Sequence, residues 1–309
     1  MSSTFVALIP VFLIIALGWG LRRAGFPGEE VWPLAERLTY YLLFPALLVH
    51  SLGTASFSGF RVAPMAAALI TTVLITSLAL IALRSRLGAR GAAFTSVLQG
   101  AIRGSVYVGV AAAFGLWGSA GLVLAAVAIA VLVPSVNLVS VAVLSRYAGG
   151  REPGPGAART GGTLWALARN PLILACAAGI LLNWSGLGIP PGLDQTVEIL
   201  GRAALPLGLL AVGAGLELGA ARGAGAQVIA ACAIKLVAMP LIAWAACLAF
   251  GVEGLTAAVA ILFTALPCAP AAFVLAREMG GDAPLMAAII ALSVVLAAFT
   301  MPLMLGLLT

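Results

Sequence analysis

The chain has 309 residues, of which 63% are hydrophobic and 8% charged. A soluble domain carries about 25% charged residues, so this composition cannot furnish a water-facing surface, and the chain reads as an all-α polytopic membrane protein. Its net charge of +6 then belongs to loops at a lipid bilayer and calls for no nucleic-acid partner.

Apolar segments near bilayer length fall at 5–21, 34–54, 64–83, 92–114, 119–145, 168–187, 195–217, 225–250, 255–276 and 284–308. All are expected to be helical, because an open strand edge cannot be satisfied in lipid. Ten such spans leave no room for a soluble catalytic, nucleic-acid-binding or receptor domain. The first stretch, Phe5 to Leu21, lacks a basic n-region and runs straight into Arg22-Arg23, so it reads as a span and not as a cleavable signal.

Orientation follows from the basic residues. The odd-numbered connections hold Arg22, Arg23, Arg84, Arg86, Arg90, Arg146, Arg151, Arg159, Arg169, Arg222 and Arg277, whereas the even-numbered ones hold only Arg61. This asymmetry puts the odd loops in the cytoplasm and both termini outside the cell's inner (plasma) membrane.

A Gly/Pro-rich stretch, Tyr147 to Thr163, lies at the centre of the chain. It divides a first five-helix repeat (1–146) from a second (164–309), with 147–163 as a cytoplasmic linker. An offset of 161 aligns Pro10 with Pro171, Gly18 with Gly179, Gly25 with Gly186 and Pro45 with Pro206; an offset of 163 aligns Gly91 with Gly254 and Gly118 with Gly281. Five spans cross an odd number of times, so the second copy is inverted, an arrangement characteristic of transporters.

Arg103 falls near the middle of the fourth span, where insertion costs about 2.5–3.5 kcal/mol. Gly100 and Gly104 flank it at a spacing that admits another backbone. The ninth span holds Pro267 and Pro270, which remove two amide donors and break a helix, and the repeat offset sets them opposite Arg103. Interrupted helices at matching positions of inverted repeats mark a midplane site. Half-helix N-termini favour an anion there, and a guanidinium fork suits a carboxylate. The candidate substrate-binding residues are Gln99, Arg103, Gly104, Ser105, Tyr107, Pro267, Cys268, Ala269 and Pro270. The competing reading is a glycine-rich packing helix with a proline kink, Arg103 being paired or snorkelling to the interface.

Lys235, the one lysine, lies in the eighth span. It serves as a charge partner for an anion or neutralises Glu217 or Glu198. Glu198 and Arg202 have the order and spacing of a local ion pair. Glu36 and Arg37 anchor the second span at its cytoplasmic end, and His50 sits near the outer end. Thr95, Ser96 and Gln99 offer oxygens to sodium only weakly, so the coupling ion, proton or sodium, stays open. Cys176, Cys232, Cys247 and Cys268 sit in apolar runs without metal-ligand spacing. No cofactor or metal is expected. The chain contains no H-E-x-x-H, G-x-S-x-G or P-loop pattern and no aspartate deep in a span, so it does not read as an enzyme.

Several runs resemble the auxin efflux carrier family, especially its bacterial members. They are Ile9-Pro10-Val11-Phe12 leading to Gly18-Trp19, Phe44-Pro45-Ala46-Leu47-Leu48, Gln99-Gly100-Ala101-Ile102-Arg103, Val133-Pro134 with Asn137, and Asn170-Pro171-Leu172-Ile173. Ala204-Leu205-Pro206-Leu207 through Gly213-Ala214, and Pro267 through Ala276 to Gly281-Asp282, complete the series in order along nearly the whole chain. The resemblance implies two inverted five-helix repeats with crossed, broken fourth and ninth helices. Scaffold helices lie at about 5–54 and 168–217, transport helices at about 64–145 and 225–308, and homodimers form through the scaffold. Family substrates are organic anions such as malonate, malate or auxin. This chain departs from the family pattern with Ser105 in place of an asparagine, and with Cys268, Ala271 and Phe273 where hydroxyl residues are usual, so the substrates of relatives do not transfer.

The function these readings imply is secondary active transport of a small organic anion, a mono- or dicarboxylate, by elevator-type alternating access. The alternatives are a sodium-coupled bile-acid-type symporter and a non-transporting membrane sensor or scaffold. The second lacks any extramembrane output surface.

Overall fold

The computed structural model describes residues 2–55, 59–86, 91–148, 169–186, 188–190, 192–223 and 225–309. Among these the regular elements are helices: α1 (Ser2–Arg23), α2 (Val31–Leu38), α3 (Phe44–Gly53), α4 (Val62–Ala82), α5 (Ala92–Ile102), α6 (Val106–Tyr147), α7 (Pro171–Ser185), α8 (Leu193–Ala214), α9 (Ala226–Ala233), α10 (Met239–Ala249), α11 (Gly254–Ala265), α12 (Ala271–Met279) and α13 (Ala283–Leu308). Six stretches are long and apolar enough to cross a bilayer, one of them the continuous run Ala226–Ala249, and α5, α7 and α11 are shorter apolar helices. The expected linker lies, from residue 149 on, outside the described residues.

Local chemistry explains where helices start, bend and stop. Asn170 caps α7, its Oδ1 accepting from the Leu172 amide at 2.9 Å, and Pro171 follows at a position that needs no donor. Asp282 does the same for α13 at Leu285, 2.9 Å away. Within α6, Gly118 takes φ 57° and ψ −141°, so the 42-residue element is two helices joined at a corner. Single π turns join α2 to α3 (Thr39–Leu43) and α9 to α10 (Ile234–Ala238). Such turns leave a carbonyl unpaired and re-aim side chains, here Tyr40 and Lys235.

Two groups of helices result. In the first, α1 packs along α8, and α3 packs against α7 and α8. Glycines set the spacing: a Cβ on Gly213 would stand 1.9 Å from the Ile15 carbonyl oxygen, and one on Gly18 2.2 Å from that of Leu210. Arg22 closes this contact, donating to the Ala214 carbonyl at 2.7 Å while pairing with Glu29 at 3.1 Å. In the second group α4, α5, α6 and α9–α13 surround the breaks at residues 103–105 and 266–270. Large apolar side chains such as Leu13, Leu181, Ile199 and Phe299 point outward, as a lipid-facing surface requires.

Candidate functional site: the meeting of two broken helices

Helix α5 stops at Ile102 because Arg103 (φ −86°, ψ 118°) is extended, and α6 resumes only after the extended Ser105 (φ −75°, ψ 107°). Helix α11 stops at Ala265, with Leu266 extended (φ −62°, ψ 149°), and α12 restarts behind Pro270. Pro267 and Pro270 have no amide hydrogen to continue a helix. The two breaks touch. The Ser105 amide donates to the Pro267 carbonyl at 2.9 Å, and Gly104 and Cys268 form an antiparallel bridge. Gly104 permits this approach, since a Cβ there would lie 3.3 Å from Leu266 Cβ. The Cys268 amide donates to Ser293 Oγ at 3.0 Å, tying the crossing to α13. With 11 and 12 residues, α5 and α11 are each about 16–18 Å long, roughly half an apolar core of about 30 Å.

Four helix ends therefore converge, the amide ends of α6 and α12 and the carbonyl ends of α5 and α11, each with backbone groups that lack helical partners. Arg103 lies among them, half-buried, with its Nε shielded from solvent. Its Nη2 donates to Asn137 Oδ1 at 2.5 Å, and its Nε has no partner. Among the described residues no carboxylate pairs with it; the ion pairs there are Arg22–Glu29, His50–Asp194 and Arg202–Glu198. The last has the expected i, i+4 geometry at 2.6 Å. For Lys235 the structure rules out one of the two expected roles, the pairing with a glutamate. It pairs with neither Glu217 nor Glu198, since its ammonium donates to the Thr264 carbonyl at 3.1 Å and stands 3.4 Å from Met239 Sδ.

Arg103 and Asn137 face two adjoining cavities. The inner one, of about 130 Å³, has apolar walls that include Ile129, Val133, Val136, Met239, Phe263 and Leu266. Arg103 is the one charged residue among its lining. Tyr40 and Asn170 complete its polar edge. The outer one, of about 510 Å³, runs past Ser105, Tyr107 and Pro270 to Glu36, Arg37 and Glu278. A separate hollow of about 900 Å³ lies between α3, α6 and α8, edged by His50, Ser119, Glu198 and Arg202. There His50 Nε2 is 3.3 Å from Asp194 Oδ1.

Of the sequence candidates, Arg103, Gly104, Ser105, Tyr107, Ala269 and Pro270 line one or both adjoining cavities. Pro267 and Cys268 build the crossing and do not line them, and Lys235 is likewise outside. Gln99 is buried within α5, away from both cavities, its amide oxygen and nitrogen without partners. Sequence reasoning missed Asn137, Tyr40 and Asn170 as site residues. The available signal was an isolated amide in an apolar run, Asn137 three residues after Pro134; spacing along the chain says nothing of its meeting with Arg103. Asn137→Asp would set a carboxylate against the guanidinium. It is expected to weaken anion binding as much as loss of Arg103 does, read by titration of the purified variant.

No group of His, Cys, Asp and Glu among the described residues is placed to hold a metal ion. Residues 159–305 match a family model described as "Membrane transport protein". An "Uncharacterized transporter" from Methanothermobacter thermautotrophicus is 28% identical, the alignment covering 98% of this chain and 97% of that protein. With its helices and buried crossing, the chain is a membrane-embedded transport protein. Its second half is similar to this membrane transport family, in keeping with the resemblance its motifs carry.

Proposed function

We propose that the chain is a ten-span secondary carrier of a small organic anion, built as two inverted five-helix repeats, and that the anion's carboxylate binds Arg103 at the crossing. The observation that carries this reading is a guanidinium with an amide and, among the described residues, no carboxylate as its partner, its buried Nε unmatched, beside two helix amide ends. An unpaired cation in that setting is costly unless water, a partner or a ligand stabilises it. Half-helix amide ends add the same sign of field.

Matching turns support the duplication. Gly91 and Gly254, aligned by the repeat, precede or open α5 and α11 with φ of 55° and 59°, and Gly25 and Gly186 follow α1 and α7 with 73° and 66°. The packing of α1 on α8 and of α3 on α7 is the pair of contacts an inverted duplication would repeat. In this reading α1–α3, α7 and α8 are the scaffold and the remainder moves as an elevator. The basic-residue asymmetry makes the Glu36, Arg37 and Glu278 mouth cytoplasmic, and both termini external, in the plasma membrane. Homodimers would form through the scaffold.

The lining also favours a substrate class. The inner cavity has one cation and apolar walls, so a second carboxylate there would be buried unpaired, at a cost of several kcal/mol. A monocarboxylate with a short apolar body fits better than malonate or malate. The test is a thermal-shift screen of the purified protein: isovalerate is expected to raise the unfolding temperature and malonate to leave it unchanged. The reverse order contradicts the substrate class, and no response to any carboxylate contradicts the anion reading.

A further inference from the structure

Lys235 lines neither cavity at the crossing, and anion binding at Arg103 leaves it without a role. It is 1% exposed, and its neighbours at the ammonium are one carbonyl and one thioether. No carboxylate among the described residues pairs with it. A buried ammonium so poorly matched is unfavourable, unless the surroundings supply negative potential. Helix α11 supplies it. Thr264, the acceptor, is the penultimate residue of that helix, and the last carbonyls of a helix carry roughly half a negative elementary charge. Those carbonyls cannot be used by a further turn, because Leu266 is extended and Pro267 has no amide hydrogen. In carriers built on broken helices, such carbonyl ends are where a coupling sodium ion or proton is held. Here the place is already filled by a side chain.

We propose that Lys235 is a tethered cation that takes, at the carbonyl end of α11, the position of a dissolved coupling cation, so that the crossing binds its anion without sodium. The consequence for anion binding rests on the function proposed above; the occupancy of the helix end does not. Lys235 is in these terms a positioning residue, acting through the potential of the crossing and not through contact with the substrate.

The experiment uses the purified full-length chain with radioactive sodium and isovalerate as probes. The unaltered protein is expected to show no saturable sodium binding. Its isovalerate affinity is expected to be the same in sodium chloride and in choline chloride at equal ionic strength. Lys235→Met, close in volume and apolar, is expected to keep the fold, as replacements of buried charges by matched apolar groups often do. It should nevertheless weaken isovalerate by about tenfold, with Lys235→Arg recovering most of the loss. Saturable sodium binding by the unaltered chain overturns the proposal, as does an isovalerate affinity that rises about tenfold with sodium. A folded Lys235→Met variant that binds isovalerate normally also overturns it. Should that variant fail to fold, the sodium measurements on the unaltered chain decide. If the unaltered chain binds no carboxylate, the anion reading fails, and sodium binding alone still decides the occupancy of the α11 end.

Discussion

Arg103→Gln is expected to weaken carboxylate binding by about a hundredfold or more, because removing one partner of a buried charged hydrogen-bonded pair costs about 2–5 kcal/mol and each 1.4 kcal/mol is about tenfold. Glutamine keeps much of the volume and an amide able to meet Asn137, so the fold should persist. Removing a half-buried cation that no described carboxylate neutralises should raise the unfolding temperature of the ligand-free protein. Arg103→Lys keeps the charge and loses the planar fork, and is expected to bind more weakly than the native chain and better than Arg103→Gln. Titration calorimetry with isovalerate checks the order. Equal affinity for all three proteins would make Arg103 a structural residue and return the crossing to a packing motif.

Gly213→Val should produce the largest loss of stability among single substitutions in the packing of α1 on α8. The new Cβ would lie 1.9 Å from the Ile15 carbonyl oxygen, an atom of a helix backbone that cannot rotate away. Overpacking in a well-filled core costs about 1–3 kcal/mol when side chains can yield, and here α1 and α8 themselves must separate. The expected result is an unfolding temperature lower by several degrees or more, read in detergent by loss of the monodisperse elution peak after heating. Gly20→Ala is the control, since a Cβ there meets nothing within 4 Å, and it should leave the temperature unchanged. Gly213 belongs to the contact of α1 with α8 and lines neither cavity at the crossing, so a destabilised but folded Gly213 variant should still bind isovalerate.

The parts of this molecule that were legible in its sequence are those that composition and local chemistry dictate. Apolar runs gave the helices, Pro267 and Pro270 gave the break between α11 and α12, and Glu198–Arg202 gave its own ion pair. The break after Ile102 was legible only through the repeat offset that set Arg103 opposite Pro267, because Gly100 and Gly104 by themselves suit an uninterrupted packing helix as well. The partners of the cations were not legible. Asn137 reaches Arg103 across 34 residues of chain, and a corner at Gly118 decides which face of α6 it occupies. Lys235 is aimed by a π turn, which no periodicity of 3.6 residues anticipates, so neither role read from the sequence, a charge partner for an anion or a neutraliser of Glu217 or Glu198, included its meeting with the Thr264 carbonyl. The π turn at Thr39–Leu43 likewise turns Tyr40 toward Asn170.

The central claim, a carboxylate seated on the Arg103 guanidinium, is tested most directly by solid-state NMR on the protein in lipid. The measurement is the dipolar coupling between carboxyl-¹³C isovalerate and arginine labelled with ¹⁵N in the guanidinium. A charge-assisted pair predicts a carbon–nitrogen separation of about 4 Å or less, present in the native chain and absent in Arg103→Gln. Bound isovalerate without that coupling, or with a coupling that survives Arg103→Gln, would contradict the account.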